Sequence, residues 1–262
     1  MRRGDQPGPI TTMKRSRSKH WGGFTVWELL VIIAAIFVIV LLVLPPLSAA
    51  KPKAQRINCV SNLKQIGIGT RLWAEDNNGR FPNQVSISEG GLARTNRLGF
   101  NAADTFRFFQ VMSNELNTPK IVYCPADGAR RQDWVTTDNF QSEGPGASFT
   151  NNLVVSYFVG SGAAAVHPRM FLSGDRNTYG PTTTPDSNDG YGNSPTNGSG
   201  SRVVFGSKPA KVGWTSRIHR KSGNVAFADG SVQQLSSHML IQAFANSGDT
   251  NTIPGANVIV FP

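Results

Sequence analysis

Three groups of residues in this 262-residue chain have types and spacings that chemistry could use. The first is a lone carboxylate: Glu28 is the only charged residue between Phe24 and Leu44, in an otherwise apolar run. A charge at the centre of a bilayer costs roughly 2.5–3.5 kcal/mol, so such a group needs either a partner or a path to the headgroups. Glu28 lies only five residues into the run, so both routes are open. The second group is Cys59 and Cys124, the only two cysteines. In an oxidising compartment they could be bridged; otherwise they are two buried, inert thiols, or Cys59 simply faces a helix stripe. The third is His219 with Asp229 and Gly230. These could form a catalytic or metal-binding set, but Asp-Gly between two strand-like runs reads better as a type I′ hairpin turn. His219 then serves as a hydrogen-bonding residue at the base of that hairpin.

Other chemistry finds little support. A zinc site needs several ligands at short spacing, and His167, His219 and His238 are far apart, so no metal centre is expected. "DSNDG" offers the oxygen ligands Asp186, Asn188 and Asp189, but not in the order of a calcium loop, and no glutamate follows at the twelfth position. Calcium there is the one cofactor left open. There is no G-x-S-x-G elbow and no P-loop, and Asp175-Arg176 in "SGDRN" reads as a local ion pair at a turn. No catalytic residue is assigned and no enzyme activity is expected.

The elements that must position these groups follow from periodicity and charge. The 21 residues Phe24–Leu44, at 1.5 Å rise, cover about 30 Å, enough to cross a bilayer. The net charge is +10. Residues 1–23 hold six Lys/Arg (Arg2, Arg3, Lys14, Arg15, Arg17, Lys19) against Asp5 alone. Taking those from the totals of 26 and 16 leaves 20 basic and 15 acidic residues. Half of the excess is therefore a basic leader, which the positive-inside rule keeps cytoplasmic while the rest is exported. Met13 offers an alternative start. The remaining basic residues are scattered apart from Arg130-Arg131 and Arg217–Lys221, so a nucleic-acid partner is not expected.

Pro45-Pro46 should kink or briefly break the helix. Residues 45–76 then carry an apolar stripe, Leu47, Ala50, Ala54, Ile57, Val60, Leu63, Ile66, Thr70 and Trp73, at helical spacing. Residues 77–262 read as a β-rich globular domain. Its strand-like runs are Ile121–Tyr123, Leu153–Val159, Met170–Leu172, Val203–Phe205, Val225–Ala228 and Val258–Phe261, with a short helix at Met239–Ala245. The polar stretch 180–201 reads as a mobile loop.

Basic leader, Gly23, Phe24 and Glu28 at the fifth position from Phe24 together resemble the N-terminal signal of type IV pilins and type II secretion pseudopilins. The blocks "CVSNLKQIGIGTRLWAEDNNGRFP", "YCPAD", "SYFVG", "LSGDRN" and "HRKSGNVAFADG" are similar to an exported pseudopilin-like subgroup with a His-x9-Asp-Gly pattern. The resemblance implies an α+β, pilin-like fold: a long N-terminal helix, transmembrane then amphipathic, packed on an antiparallel β-sheet with long loops. It implies cleavage after Gly23 by a prepilin peptidase, methylation of Phe24, and pairing of Glu28 with a neighbouring subunit's amine. The implied partners are that peptidase, other pilin-like subunits, an inner-membrane assembly platform and the lipid bilayer. The expected protein is thus a single-pass inner-membrane subunit of a secretion pseudopilus or related filament, with its C-terminal domain in the periplasm or outside the cell. The alternative is an anchored binding module that uses the same signal, contacts glycans or envelope proteins through loops 83–118 and 180–201, and never polymerises.

Overall fold

The computed structural model describes residues 22–93, 100–128, 139–144, 148–183, 190–192, 199–206, 209, 211–248 and 257–262. The chain divides into two units, residues 1–48 and 49–262. The leader 1–21, Arg130-Arg131 and the candidate calcium ligands Asp186, Asn188 and Asp189 lie outside the described residues.

Helix α1, Val26–Asp76, is assigned without interruption. The break expected at Pro45-Pro46 is not made. Each proline lacks a backbone donor and crowds the carbonyl four residues back, but long helix-forming runs flank the pair. In the first unit α1 supplies one stretch, Val26–Val43, long and apolar enough to cross a membrane. Every described side chain from Phe24 to Val43 is exposed, which suits a helix whose solvent is lipid and not water. The helix begins at Val26, two residues later than the apolar run itself.

In the second unit the apolar stripe holds only in part. Leu63, Ile66, Thr70 and Trp73 are buried as their spacing predicts. Ile57, however, is 68% exposed, and Cys59 takes the inward place one turn before Leu63. The buried face, Cys59, Leu63, Ile66, Thr70 and Trp73, still steps by three and four.

The sheet explains the apolar runs downstream. Six antiparallel strands, β1 (Tyr157–Gly160), β2 (Phe171–Asp175), β4 (Ser201–Val204), β6 (Ser222–Phe227), β7 (Val232–Ser236) and β8 (Val258–Phe261), pair in the order β4-β8-β1-β2-β6-β7. β3 (Thr178–Tyr179) and β5 (Gly213–Trp214) form a separate two-stranded ladder. Successive residues point to opposite faces, and both faces are covered. Tyr157, Val159, Ala226 and Val260 join a core with Leu63, Ile66 and Trp73 of α1. Phe158, Val225, Ile259 and Phe261 join a second core with Leu240 and Phe244. Those last two lie on a C-terminal helix, Ser237–Ala245, which starts two residues before its apolar run because the Ser236 hydroxyl accepts from Met239 N–H. A strand buried on both faces reads as continuous rather than alternating apolar sequence. The unit is helix on sheet on helix, an α+β arrangement.

Three expectations are corrected here. Ile121–Tyr123 is not a strand: Pro119 opens a 3-10 turn, Pro119–Val122, with Thr118 as its N-cap, and proline is pre-organised for that position. Leu153–Val159 is strand only from Tyr157, because Asn151 caps a turn at Asn152–Val154. The described part of the region 83–118 is not an open loop. It forms helices α2 (Thr105–Gln110) and α3 (Ser113–Leu116), whose Phe106, Phe108, Phe109 and Leu116 are core residues. Within 180–201, Tyr191 is buried between Phe205 and Phe261.

Candidate functional site

Two separate places hold the residues singled out above. The first is the start of α1. Residues 22–25 are not helical, and Gly22 and Gly23 meet nothing within 4 Å of where a side chain would begin. Phe24 is 77% exposed, so the Gly23–Phe24 bond stands clear of other described atoms of the chain. Thr25 and Glu28 then form a reciprocal cap. Thr25 N–H and Oγ1–H donate to Glu28 Oε2 at 2.9 and 2.8 Å, and Glu28 N–H donates to Thr25 Oγ1 at 3.3 Å. This is the Ser/Thr-x-x-Glu capping box, a signal readable in "TVWE" itself. Glu28 therefore has a partner within its own chain, and its negative charge sits at the positive end of the helix dipole.

The second place is a buried polar centre in the globular unit. It is built from four segments far apart in sequence. Cys59 comes from α1 and Cys124 from "YCPAD"; they form a disulfide with Cα atoms 5.1 Å apart. Both are fully buried. Three residues on, Asp127 receives Nε–H and Nη2–H of Arg176 in two parallel 2.7 Å bonds, with both side chains at most 1% exposed. Two N–H groups facing two carboxylate oxygens is the strong geometry for this pair.

Asp175, next to Arg176 on β2, faces elsewhere. Its Oδ2 accepts from Asn224 backbone N–H at 2.7 Å and Asn224 Nδ2–H at 2.9 Å. His219 Nε2 lies 3.4 Å from the same oxygen and 3.5 Å from Cys124 Sγ. Asp175 and Arg176 thus do not make the local ion pair expected of "SGDRN": Asp175, the last residue of β2, faces Asn224 and His219, while Arg176, just past the strand end, turns to Asp127. Above the cluster, the Arg56 guanidinium of α1 donates to His219 O and Ser222 Oγ.

Burial sets the charge states. It raises Asp175 to about 7, with Asp127's charge adding and the Asn224 donors opposing. It lowers His219 to about 4, with Arg56 adding and Asp127 opposing. A buried carboxyl and a buried imidazole both avoid charge unless it is compensated.

His219 and Asp229-Gly230 are not brought into one site. His219 sits at the level of Cys59, whereas Gly230 touches Gly67 and Asp229 O accepts from Arg71 Nη1 at 2.8 Å. Those positions are eight and twelve residues further along α1, or about 12 and 18 Å. Asp229 caps its own turn, accepting from Ser231 N–H at 2.8 Å. The turn is a hairpin connection, but not type I′. Gly230 N–H bonds Phe227 O, Phe227 N–H bonds Ser231 O, and only Gly230 has positive φ. That is a three-residue loop with glycine at the left-handed bulge position. It needs one positive φ where type I′ needs two, and Asp229 avoids the strained region.

Arg56 and Asp127 had no role from sequence, and Asp175 only the local ion pair with Arg176 that the fold does not make. Charged residues inside otherwise apolar blocks were the available signal. Comparison with family models, with curated proteins and with solved structures finds no match to this chain.

Proposed function

We propose that this chain is a prepilin-like subunit of a secretion pseudopilus or related filament, with residues 1–23 cytoplasmic and the globular unit exported. The observation that carries the reading is the start of α1: an accessible Gly23–Phe24 bond, then an apolar helix with no protein cover and Glu28 as its single charge. Cleavage after Gly23 frees an ammonium on Phe24. An ammonium and a carboxylate among packed apolar helices are each costly alone and tolerable together. The capping box holds Glu28 in place until a neighbouring subunit's amine reaches it. The α+β architecture, with the C-terminal half of α1 on an antiparallel sheet, agrees with a pilin-like arrangement.

The test uses two substitutions. Glu28→Gln keeps an acceptor for the capping box but removes the charge, while Glu28→Ala removes both. Mass spectrometry reads whether Phe24 is the methylated N-terminus, and crosslinking in cells reads assembly. The expected result is cleavage in all three proteins and loss of crosslinks in both variants. Crosslinks that survive Glu28→Gln sink the ion-pair role, and an uncut wild-type chain sinks the whole reading.

An anchored binding module is the second reading. It is favoured by a cavity of about 380 Å³ between β7 and the C-terminal helix, lined by Arg169, Asp229, Gln233, Gln242 and Asn246 among others. Cleavage with no crosslinks even in wild type selects it.

A further inference from the structure

We propose that reduction of the Cys59–Cys124 disulfide converts the buried centre into a Zn²⁺ site held by Cys59, Cys124 and His219, with Asp175 beside the fourth position. The disulfide and the metal are then alternative fastenings for the same segments.

The argument is geometric. Sγ of both cysteines and a ring nitrogen of His219 lie within 4.8 Å of one another, and all three residues are buried. Tetrahedral zinc with Zn–S near 2.3 Å and Zn–N near 2.0–2.1 Å sets a ligand-to-ligand S···N distance of about 3.6 Å and an N···O distance of about 3.3 Å. Cys124 Sγ to His219 Nε2 is 3.5 Å, and His219 Nε2 to Asp175 Oδ2 is 3.4 Å. Two edges of the tetrahedron are therefore already in place. The sulfur-to-sulfur edge must open: once the bond is cut, the two sulfurs would stand about 3.8 Å apart around the metal. Cysteine side-chain rotation supplies that movement once the bond is cut.

Two further observations point the same way. Asp175 Oδ1 is buried with no hydrogen-bond partner among the described residues, which leaves a carboxylate oxygen to spare beside the metal. A cavity of about 560 Å³ reaches His219 from outside, with Lys53, Arg56, Arg217 and Arg220 also on its wall. A buried metal site needs such an entry path. Two thiolates balance the charge of Zn²⁺, and the Arg56 guanidinium, which donates to His219 O, lies beside the site.

The steps balance. A dithiol reductant gives two electrons and two protons to the S–S bond and becomes a disulfide itself, leaving two thiols. Zn²⁺ then forms two Zn–S bonds and one Zn–N bond, and the two thiol protons pass to solvent.

The test uses the full chain in detergent, reduced with a phosphine so that no competing thiol remains, and Co²⁺ as probe. One Co²⁺ per chain is expected, with thiolate charge-transfer and tetrahedral visible bands, displaced by Zn²⁺ and absent from the oxidised chain. X-ray absorption of the zinc-loaded reduced chain should show two sulfurs at about 2.3 Å and nitrogen or oxygen at about 2.0 Å, including imidazole. His219→Ala should weaken binding at least about 10-fold, since even an outer-shell partner contributes that much. The proposal is overturned by the absence of these bands in the reduced chain, by their presence in the oxidised chain, or by unchanged affinity in His219→Ala. A reduced chain that unfolds and is not restored by Zn²⁺ also overturns it. If His219→Ala does not fold, X-ray absorption of wild type decides, and a spectrum without imidazole rejects the site.

Discussion

Removing Asp127 should be among the most damaging single changes in the globular unit. The Arg176 guanidinium is fully buried and directs two 2.7 Å bonds at the Asp127 carboxylate. Asp127→Asn keeps the shape but removes the charge, so the buried guanidinium loses the carboxylate that faces two of its N–H groups. Breaking a buried pair by removing one partner costs about 3–5 kcal/mol. Against a usual total of about 5–15 kcal/mol, that is a large fraction of the stability. An exposed pair would cost only about 0–1 kcal/mol, so the two cases are well separated. Replacing both residues, as in Asp127→Leu with Arg176→Met, also removes the desolvation penalty and should recover most of the loss. Urea unfolding of the full chain in mild detergent, followed by near-ultraviolet circular dichroism, measures this; Trp214, 1% exposed, is a native-state reporter. A double-mutant cycle should return a coupling above about 2 kcal/mol. If Asp127→Asn costs less than about 1 kcal/mol, or the double variant is no better than the sum of the singles, the pair does not hold these segments together.

Two further outcomes follow from the same region. In the disulfide-closed chain, Asp175 titrates near 7 when folded but in the ordinary carboxylate range when unfolded, so its contribution is present at low pH and lost as pH rises from about 4 to about 7. His219, near 4 when folded against about 6.5 unfolded, has the opposite sign, its contribution being lost as pH falls from about 6.5 to about 4. The two slopes oppose each other in wild type. In Asp175→Asn only the histidine slope remains, so urea midpoints should climb more steeply from pH 4.5 to 6.5; equal slopes in the two proteins contradict the assignment. At the β6–β7 turn, Gly230 has φ +82, and among the described residues only Arg71 Cδ, at 3.5 Å, lies within 4 Å of where a side chain would begin. Gly230→Ala should therefore cost about 1–2 kcal/mol of backbone strain and Gly230→Asn less, as read by thermal unfolding; equal losses would mean that crowding, and not φ, sets the requirement.

The parts of this protein legible in its sequence are those that local periodicity and local charge control. The apolar run from Phe24, the lone Glu28 and the basic leader define a membrane-length helix without reference to anything downstream. The stripe Leu63, Ile66, Thr70, Trp73 shows which face of that helix turns inward, and Asp229-Gly230 marks a hairpin. Even there, details needed the fold. Asp229 avoids a positive φ because a three-residue loop was available, and Ile57 lost its place in the stripe to Cys59, which Cys124 holds inward.

The polar centre was decided by tertiary structure alone. Asp127 and Arg176 are 49 residues apart, Asp175 and Asn224 also 49, and Cys124 and His219 95. No spacing rule links residues at such separations, because the contacts are made by strand pairing and by α1 crossing the sheet, not by a local turn. For the same reason the pairing of Cys59 with Cys124 stayed open in the sequence, and a histidine with no ligand near it in the chain has two sulfurs beside it in space.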